Sequence, residues 1–322
     1  MAYLLRRLLH GVMVLVGVSV LSFLFVQLAP GEFFSDMRLN PQISPETIAS
    51  LRAQYGLDRS LPVRYVNWVR SVAKGEWGYS FAYGLPVSQV IWSRARNTLL
   101  LTVTAALLAW LISIPLGTYA AERRNRWGDR VTVAGSAVLL TVPDLLLALA
   151  LLIFAIRTNA FAAGGMASTQ FADLGTFAKV KDVAAHFTLP VTALVLGTLP
   201  IFFRHVRASM IEALALPSIS AARGHGIPRR RILFRYALPA AANPLISLFG
   251  FSIASLLSAS LLVEVVMSWP GMGPMLLEAI LARDLYVVIG AVMLSTLFLV
   301  AGNFIADVLL YLSDPRIRQG AV

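Results

Sequence analysis

Ser220-Ala221-Ala222-Arg223-Gly224-His225-Gly226-Ile227, followed after a basic run by Tyr236-Ala237-Leu238-Pro239, is a polar stretch set between two long apolar segments. Its small residues, Ala221, Ala222, Gly224 and Gly226, leave room for another surface to approach the backbone closely. Gly224 and Gly226 also permit the sharp turn that ends a short helix. The arginines that follow, Arg229, Arg230, Arg231 and Arg235, suit a chain lying along anionic headgroups. Pro228 and Pro239 bracket this part and mark where the chain turns back toward a bilayer. Composition alone leaves a second reading open, an ordinary basic loop between two spans.

Working outward, the flanking sequence is built for lipid. Of 322 residues 58% are hydrophobic and only 13% charged, far from the composition of a soluble domain. A bilayer core of roughly 30 Å takes about 20 helical residues. Six segments meet that length, at approximately 9–29, 98–120, 131–156, 188–206, 241–263 and 285–311, so the chain reads as an all-α membrane protein with six transmembrane helices. The first follows Arg6-Arg7 as a signal peptide would. Its apolar run is too long for that, and it ends in Ala29-Pro30-Gly31 without a small-x-small cleavage pattern, so we expect a retained helix. The net charge of +11 does not point to nucleic acid, because the arginines lie at the ends of apolar spans and not among stacking aromatics. With no cysteine, a disulfide framework and thiolate chemistry are excluded.

Orientation follows from the basic residues. Arg6 and Arg7 precede the first span, Arg123, Arg124, Arg126 and Arg130 fill the short loop after the second, and Arg316 and Arg318 lie in the tail. Together with the arginines of the central loop they put both termini in the cytoplasm, whereas the outer loops come out near neutral. Residues 30–97 are too many for a simple connection, so a structured outer loop after the first helix is expected. Ser44 and Pro45 read as the start of a helix in it and Gly56 as its end. The aromatics Trp68, Trp77, Tyr79, Phe81, Tyr83 and Trp92 read as a membrane-interface belt, with a ligand-binding surface as the alternative. The second outer loop, 157–187, carries Gly164-Gly165 and reads as a flexible connection.

Several chemistries lack their parts. None of the three lysines, Lys74, Lys179 and Lys181, follows the spaced glycines of a phosphate-binding loop, so this chain does not hydrolyse ATP by itself. His10, His186, His205 and His225 are scattered and not at ligand spacing, and no Gly-x-Ser-x-Gly elbow is present, which leaves a membrane enzyme without a catalytic constellation. Two carboxylates fall inside apolar spans, where an ionisable group costs about 2.5–3.5 kcal/mol and normally faces protein or water. Asp144 follows Pro143 and is a candidate for a translocation pathway, or else pairs with a neighbouring helix. Asp307, near the cytoplasmic end of the last span, suits a structural role. An ion-gradient-driven secondary transporter using Asp144 and Asp307 stays as the alternative function.

The central loop also resembles a known pattern. Ala221, Ala222, Gly226, Tyr236, Leu238 and Pro239 match the "EAA" loop of the membrane subunits of bacterial ABC importers, with Ser220 where many members have the naming glutamate. Further similar stretches lie in order along the chain, among them Leu28-Ala29-Pro30-Gly31, Tyr55-Gly56-Leu57-Asp58, Gly78-Tyr79-Ser80-Phe81, Ser268-Trp269-Pro270-Gly271-Met272-Gly273 and Asp314-Pro315-Arg316-Ile317-Arg318. They are most similar to the first membrane subunit of dipeptide and oligopeptide importers. Asp144 departs from that family, which more often has Ser or Thr after the span proline.

The resemblance implies the type I ABC importer permease fold. It divides the chain into an N-terminal helix and periplasmic region (1–95), a permease core of five helices (96–311) with a coupling loop at about 217–228, and a cytoplasmic tail (312–322). Ser220, Ala221, Ala222, Arg223, Gly224, His225 and Gly226 would contact an ATPase. The implied partners are a second homologous permease, two ATP-binding subunits, an extracytoplasmic solute-binding protein and membrane lipid, with no nucleic acid. The chain itself would carry no cofactor, ATP and Mg²⁺ belonging to the ATPase subunits. The implied location is the bacterial inner membrane and the cargo is peptides or related small solutes.

Overall fold

A backbone surrounded by hydrocarbon must satisfy its own amides, so long apolar runs fold as helices. The computed structural model, which describes residues 2–28, 44–54 and 58–313, follows that rule. It begins with α1 (Ala2–Leu28), α2 (Pro45–Gln54), α3 (Leu61–Ala73) and a hairpin of β1 (Tyr79–Ser80) and β2 (Leu85–Pro86). Then come α4 (Val87–Glu122), α5 (Trp127–Thr141), α6 (Asp144–Thr158), α7 (Thr176–Leu214) and α8 (Pro217–Gly224). The chain continues through α9 (Arg229–Ile232), a π-helical turn at Leu233–Ala237, a short turn of helix at Leu238–Ala240, α10 (Ala242–Val266), α11 (Met272–Leu281) and α12 (Leu285–Ser313).

Among the described residues five helices, α1, α4, α7, α10 and α12, are long and apolar enough to cross a membrane. The remaining apolar segment, expected as one span over 131–156, is instead the pair α5 and α6, bent by 96° at a break, and counting that pair as one span gives six. Pro143 explains the break. A residue before proline is driven out of the helical region, and Val142 takes φ −91° and ψ 117°. Pro143 is itself extended, with ψ 143°, so the helix restarts at Asp144. Asp144 therefore opens a helix and does not lie within a continuous span.

Helix α7 corrects two further expectations. At 39 residues and 1.5 Å per residue it is about 58 Å long, nearly twice the bilayer core. It takes in the end of the supposed outer loop from Thr176 and the start of the supposed polar loop from Arg204 to Leu214. What remains of the outer loop is tied down: Gly165 N donates to Met267 O at 2.9 Å, and Ser168 N to Asp182 Oδ2 at 2.8 Å.

Two compact units make up the chain. One holds residues 1–7, 98–269 and 298–322. Its apolar core runs through α4, α6, α7, α8 and α10, where Trp110 stacks on Phe202 at 4.7 Å and Leu101, Leu194, Val206, Met210 and Leu256 are buried. Helices approach closely at small residues. Gly117 of α4 faces Val206 of α7, Gly250 of α10 faces Ala306 of α12, and Gly302 of α12 faces Ile253.

The other unit holds residues 8–97 and 270–297. Ser44 caps α2 as expected, accepting from Thr47 N at 3.2 Å, while Gly56, the expected end, lies outside the described residues. Trp68 departs from the expected interface belt: it is buried against Phe23 of α1 and Ile289 of α12, with Tyr65 alongside at 6.5 Å. Trp92, by contrast, is 59% exposed. Trp68→Ala should therefore cost about 3–5 kcal/mol and make the 44–86 segment cleavable by protease at a lower temperature, whereas Trp92→Ala should leave the cleavage midpoint unchanged.

Candidate functional site

The sequence gives α8 both its ends. Pro217 stands at the first turn, where a missing N–H costs nothing, with Leu216 extended before it. At the other end Gly226 has φ +71°, a left-handed conformation that glycine adopts freely. Gly226 N donates to Arg223 O at 3.0 Å and Ile227 N to Ala222 O at 3.2 Å, the paired bonds of a Schellman cap. Ile227 and Ala222 supply the apolar contact that accompanies such a cap, both belonging to the core. The chain after α9 stays helical through Pro239, because the i→i+5 spacing of the π turn absorbs the proline's missing donor.

This geometry sorts the seven candidate residues. Ala222 is 7% exposed and Ile219 is 2% exposed, one helical turn apart on the inward face. Ser220, Ala221, Arg223, Gly224, His225 and Gly226 all stand exposed on the outward side. Small and polar groups thus form a free ridge, held from behind by two apolar side chains. Ala222 belongs with the anchors and not with the ridge.

Two ion pairs flank α8, and neither is legible from local sequence. Arg207 of α7 donates to Asp129 through Nε to Oδ1 at 2.6 Å and through its second terminal nitrogen to Oδ2 at 2.8 Å. Asp129 is only 2% exposed and also accepts from Asn125 N at 2.9 Å. Asn125, at φ +65°, forms the left-handed corner of the α4–α5 turn. On the far side of α8, Arg229 pairs with Glu122, the last residue of α4. Beside that pair lies a groove of about 390 Å³ lined by Leu214, Arg223, Ile227, Ile232 and Leu233.

The remaining candidates lie apart from this ridge. Asp144, half-buried in the first turn of α6, has its Oδ1 against the Cα of Gly197 on α7, so a side chain at 197 would collide with it. A carboxylate at a helix N-terminus is favoured by the helix dipole. Asp307 pairs with Arg7 at 3.5 Å, the structural role expected of it. His186 and His205 place Nδ1 at 2.9 and 3.0 Å from carbonyls of their own helix, Asp182 and Ile201. Among the described residues no group of three or more His, Cys, Asp or Glu is placed to hold a metal.

In the second unit, buried Asp284 accepts from Ser80 Oγ at 2.7 Å and Ala82 N at 3.0 Å, tying the hairpin to the α11–α12 turn. Tyr83 donates to Glu278, and burial together with that carboxylate pushes the phenol above the usual tyrosine range. Ser80→Ala leaves the Asp284 carboxylate short of one donor, which costs about 1–3 kcal/mol. We expect faster amide exchange across the hairpin in Ser80→Ala and native exchange in Ser93→Ala, whose hydroxyl bonds only its own helix.

Comparison with known proteins bears on the whole chain. Residues 113–319 match the family model described as "Binding-protein-dependent transport system inner membrane component", and residues 1–102 match its N-terminal companion. The oligopeptide transport system permease protein AppB of Bacillus subtilis is 32% identical over 98% of this chain and 99% of its own length. The glutathione transport system permease protein GsiC of Salmonella typhi is 33% identical over 98% of both chains. The dipeptide transport system permease protein DppB of Escherichia coli K12 is 31% identical over the same 98% shares. Among solved structures, a chain of the inward-facing MetNI methionine ABC transporter superposes with a TM-score of 0.57, covering 70% of this chain and 97% of that one at 16% identity, which supports the type I importer fold. With matching family models over both its N-terminal part and its core, and relatives aligned from end to end, the chain belongs to the inner-membrane permease components of binding-protein-dependent transport systems, and is a transporter subunit and not an enzyme.

Proposed function

We propose that this chain couples ATP hydrolysis on separate subunits to passage of peptides or related small solutes, with α8 seated on an ATPase. The observation that carries the reading is the exposed ridge from Ser220 to Gly226, closed by the Gly226 cap and backed by Ile219 and Ala222. The partners in this reading are a second homologous permease, two ATP-binding subunits holding ATP and Mg²⁺, and an extracytoplasmic solute-binding protein. Both termini and α8 then face the cytoplasm. The 1–95 region faces outward after its first helix, 96–311 forms the permease core, and 312–322 is a cytoplasmic tail. Relatives named for oligopeptides, dipeptides and glutathione share a peptide-bonded cargo, which is the class we assign.

For ATP to drive such a device, the ATPase must hold α8 differently in its two states, since equal affinity for both shifts no equilibrium. Asp144, at the bend between α5 and α6, is our candidate for the solute path. Vesicles containing the chain with its operon partners and ATP inside should accumulate a labelled tripeptide, and ATP depletion should stop it. Uptake that survives ATP depletion but collapses with an uncoupler and with Asp144→Asn would instead establish the ion-gradient alternative. That alternative is not favoured here, because Asp307 is engaged by Arg7.

A further inference from the structure

Helix α8 hangs on two connections, and one short turn grips both. Arg207 lies on α7 ahead of α8, and Arg229 opens α9 just after it. Their carboxylate partners, Asp129 and Glu122, are 78 and 107 residues away in sequence, yet they stand at either end of the α4–α5 turn. Glu122 ends α4, and Asp129 lies in the first turn of α5.

The two pairs act differently. A bidentate fork on a carboxylate fixes direction as well as distance, and Asp129 has a third donor in Asn125 N. Separating that pair would leave the buried Asp129 carboxylate without its arginine, which is unfavourable. The Glu122–Arg229 pair is more accessible, with Arg229 at 67% exposure, and sits at the rim of the groove floored by Leu214, Ile232 and Leu233. By comparison the apolar hold on α8 itself is slight, since Ile219 and Ala222 are its only buried residues.

We propose that Asp129 and Glu122 are positioning residues that make α8 and the α4–α5 turn move as one body. This rests on reading α8 as the segment that an ATPase displaces. Displacement entering at the Ser220–Gly226 ridge then reaches α5 through Arg207 and α4 through Arg229. From α5 it arrives at the 96° bend, where Asp144 begins α6. Neither carboxylate touches solute or nucleotide in this scheme; each acts through its arginine.

Because the chain has no cysteine, spin labels attach to it only where cysteines are introduced, and Ser218→Cys with Trp127→Cys, labelled before assembly with the partner subunits, reports on α8 against the turn. Both positions are exposed. The full transporter, with its ATPase subunits and binding protein, is measured without nucleotide and with ATP plus vanadate. The native carboxylates should give one narrow distance in both states, while D129N/E122Q should broaden it by about one helical turn, ~5 Å, only on adding ATP plus vanadate. A role confined to stability would not produce that nucleotide dependence. E122Q alone, which releases the more accessible arginine, should give part of the broadening, and the exchange E122R/R229E should remove it. An unchanged narrow distance in D129N/E122Q, or in E122Q should the double variant fail to fold, overturns the proposal. Failure of the underlying reading is distinct: a native complex in which a label at Ser218 shows no proximity to labelled ATPase subunits.

Discussion

Gly226→Asp is expected to abolish ATP-driven uptake while leaving the chain in the membrane at native level. At φ +71° an L side chain costs about 1–2 kcal/mol, and aspartate is among the residues that bear this best, so the fold survives. No atom lies within 4 Å of the added Cβ, so the side chain does not collide with the rest of the chain. Its effect falls on the surface. A carboxylate placed beyond the C-terminus of α8 opposes the helix dipole and changes the charge of a ridge that otherwise carries Arg223 and His225. At 1.4 kcal/mol per tenfold, a docking loss of about 2.8 kcal/mol weakens the affinity for the ATPase a hundredfold. Labelled tripeptide uptake, normalised to immunoblotted membrane level, is the measurement. Gly226→Ala, which adds strain without charge, should fall between native and aspartate. Native uptake in the aspartate variant would remove Gly226 from the coupling surface.

Gly117→Val is expected to lower the yield of folded protein sharply. A Cβ at 117 lies 2.7 Å from Val206 Cγ1 and 3.0 Å from Arg207 N, and the second of these is backbone that cannot rotate away. The helices α4 and α7 must therefore separate, at a cost of about 1–3 kcal/mol or more. Separation also moves Arg207 from Asp129, so packing and ion pair fail together. For a chain of this size the unfolding midpoint should drop by roughly 2–5 °C, read as the loss of the monodisperse peak after heating in detergent. Gly135→Val is the control, because nothing lies within 4 Å of a Cβ there. Equal shifts in the two variants would contradict the close approach.

What the sequence made legible followed from local rules. Apolar length places most of the helices, Ser44 and Pro45 start α2, and the spacing of Gly224 and Gly226 marks the end of α8. The misses have physical reasons too. Pro143 was visible, but proline inside α4 at 115 and inside α7 at 190 and 200 leaves those helices continuous, so the residue alone does not tell a broken helix from an unbroken one. Helix α7 outruns the bilayer because its ends are polar helix, which a hydropathy window does not count. Trp68 looked like its exposed neighbour Trp92, since burial depends on Phe23 and Ile289 from distant parts of the chain. The pairings of Asp129 and Glu122 are hidden for the same reason. Their partners are set by tertiary folding, and no spacing rule links residues 78 or 107 apart.

The central claim, that the Ser220–Gly226 ridge meets an ATPase, is tested most directly by photo-crosslinking. A benzophenone side chain placed at His225 is compared with one at Phe177, which is 85% exposed near the start of α7. In cells producing the chain with the proposed partner subunits, irradiation should join the His225 variant to an ATP-binding subunit and leave the Phe177 variant free of that adduct. Adducts with the ATP-binding subunit from Phe177 and none from His225, in a transporter that still takes up tripeptide, would contradict the account.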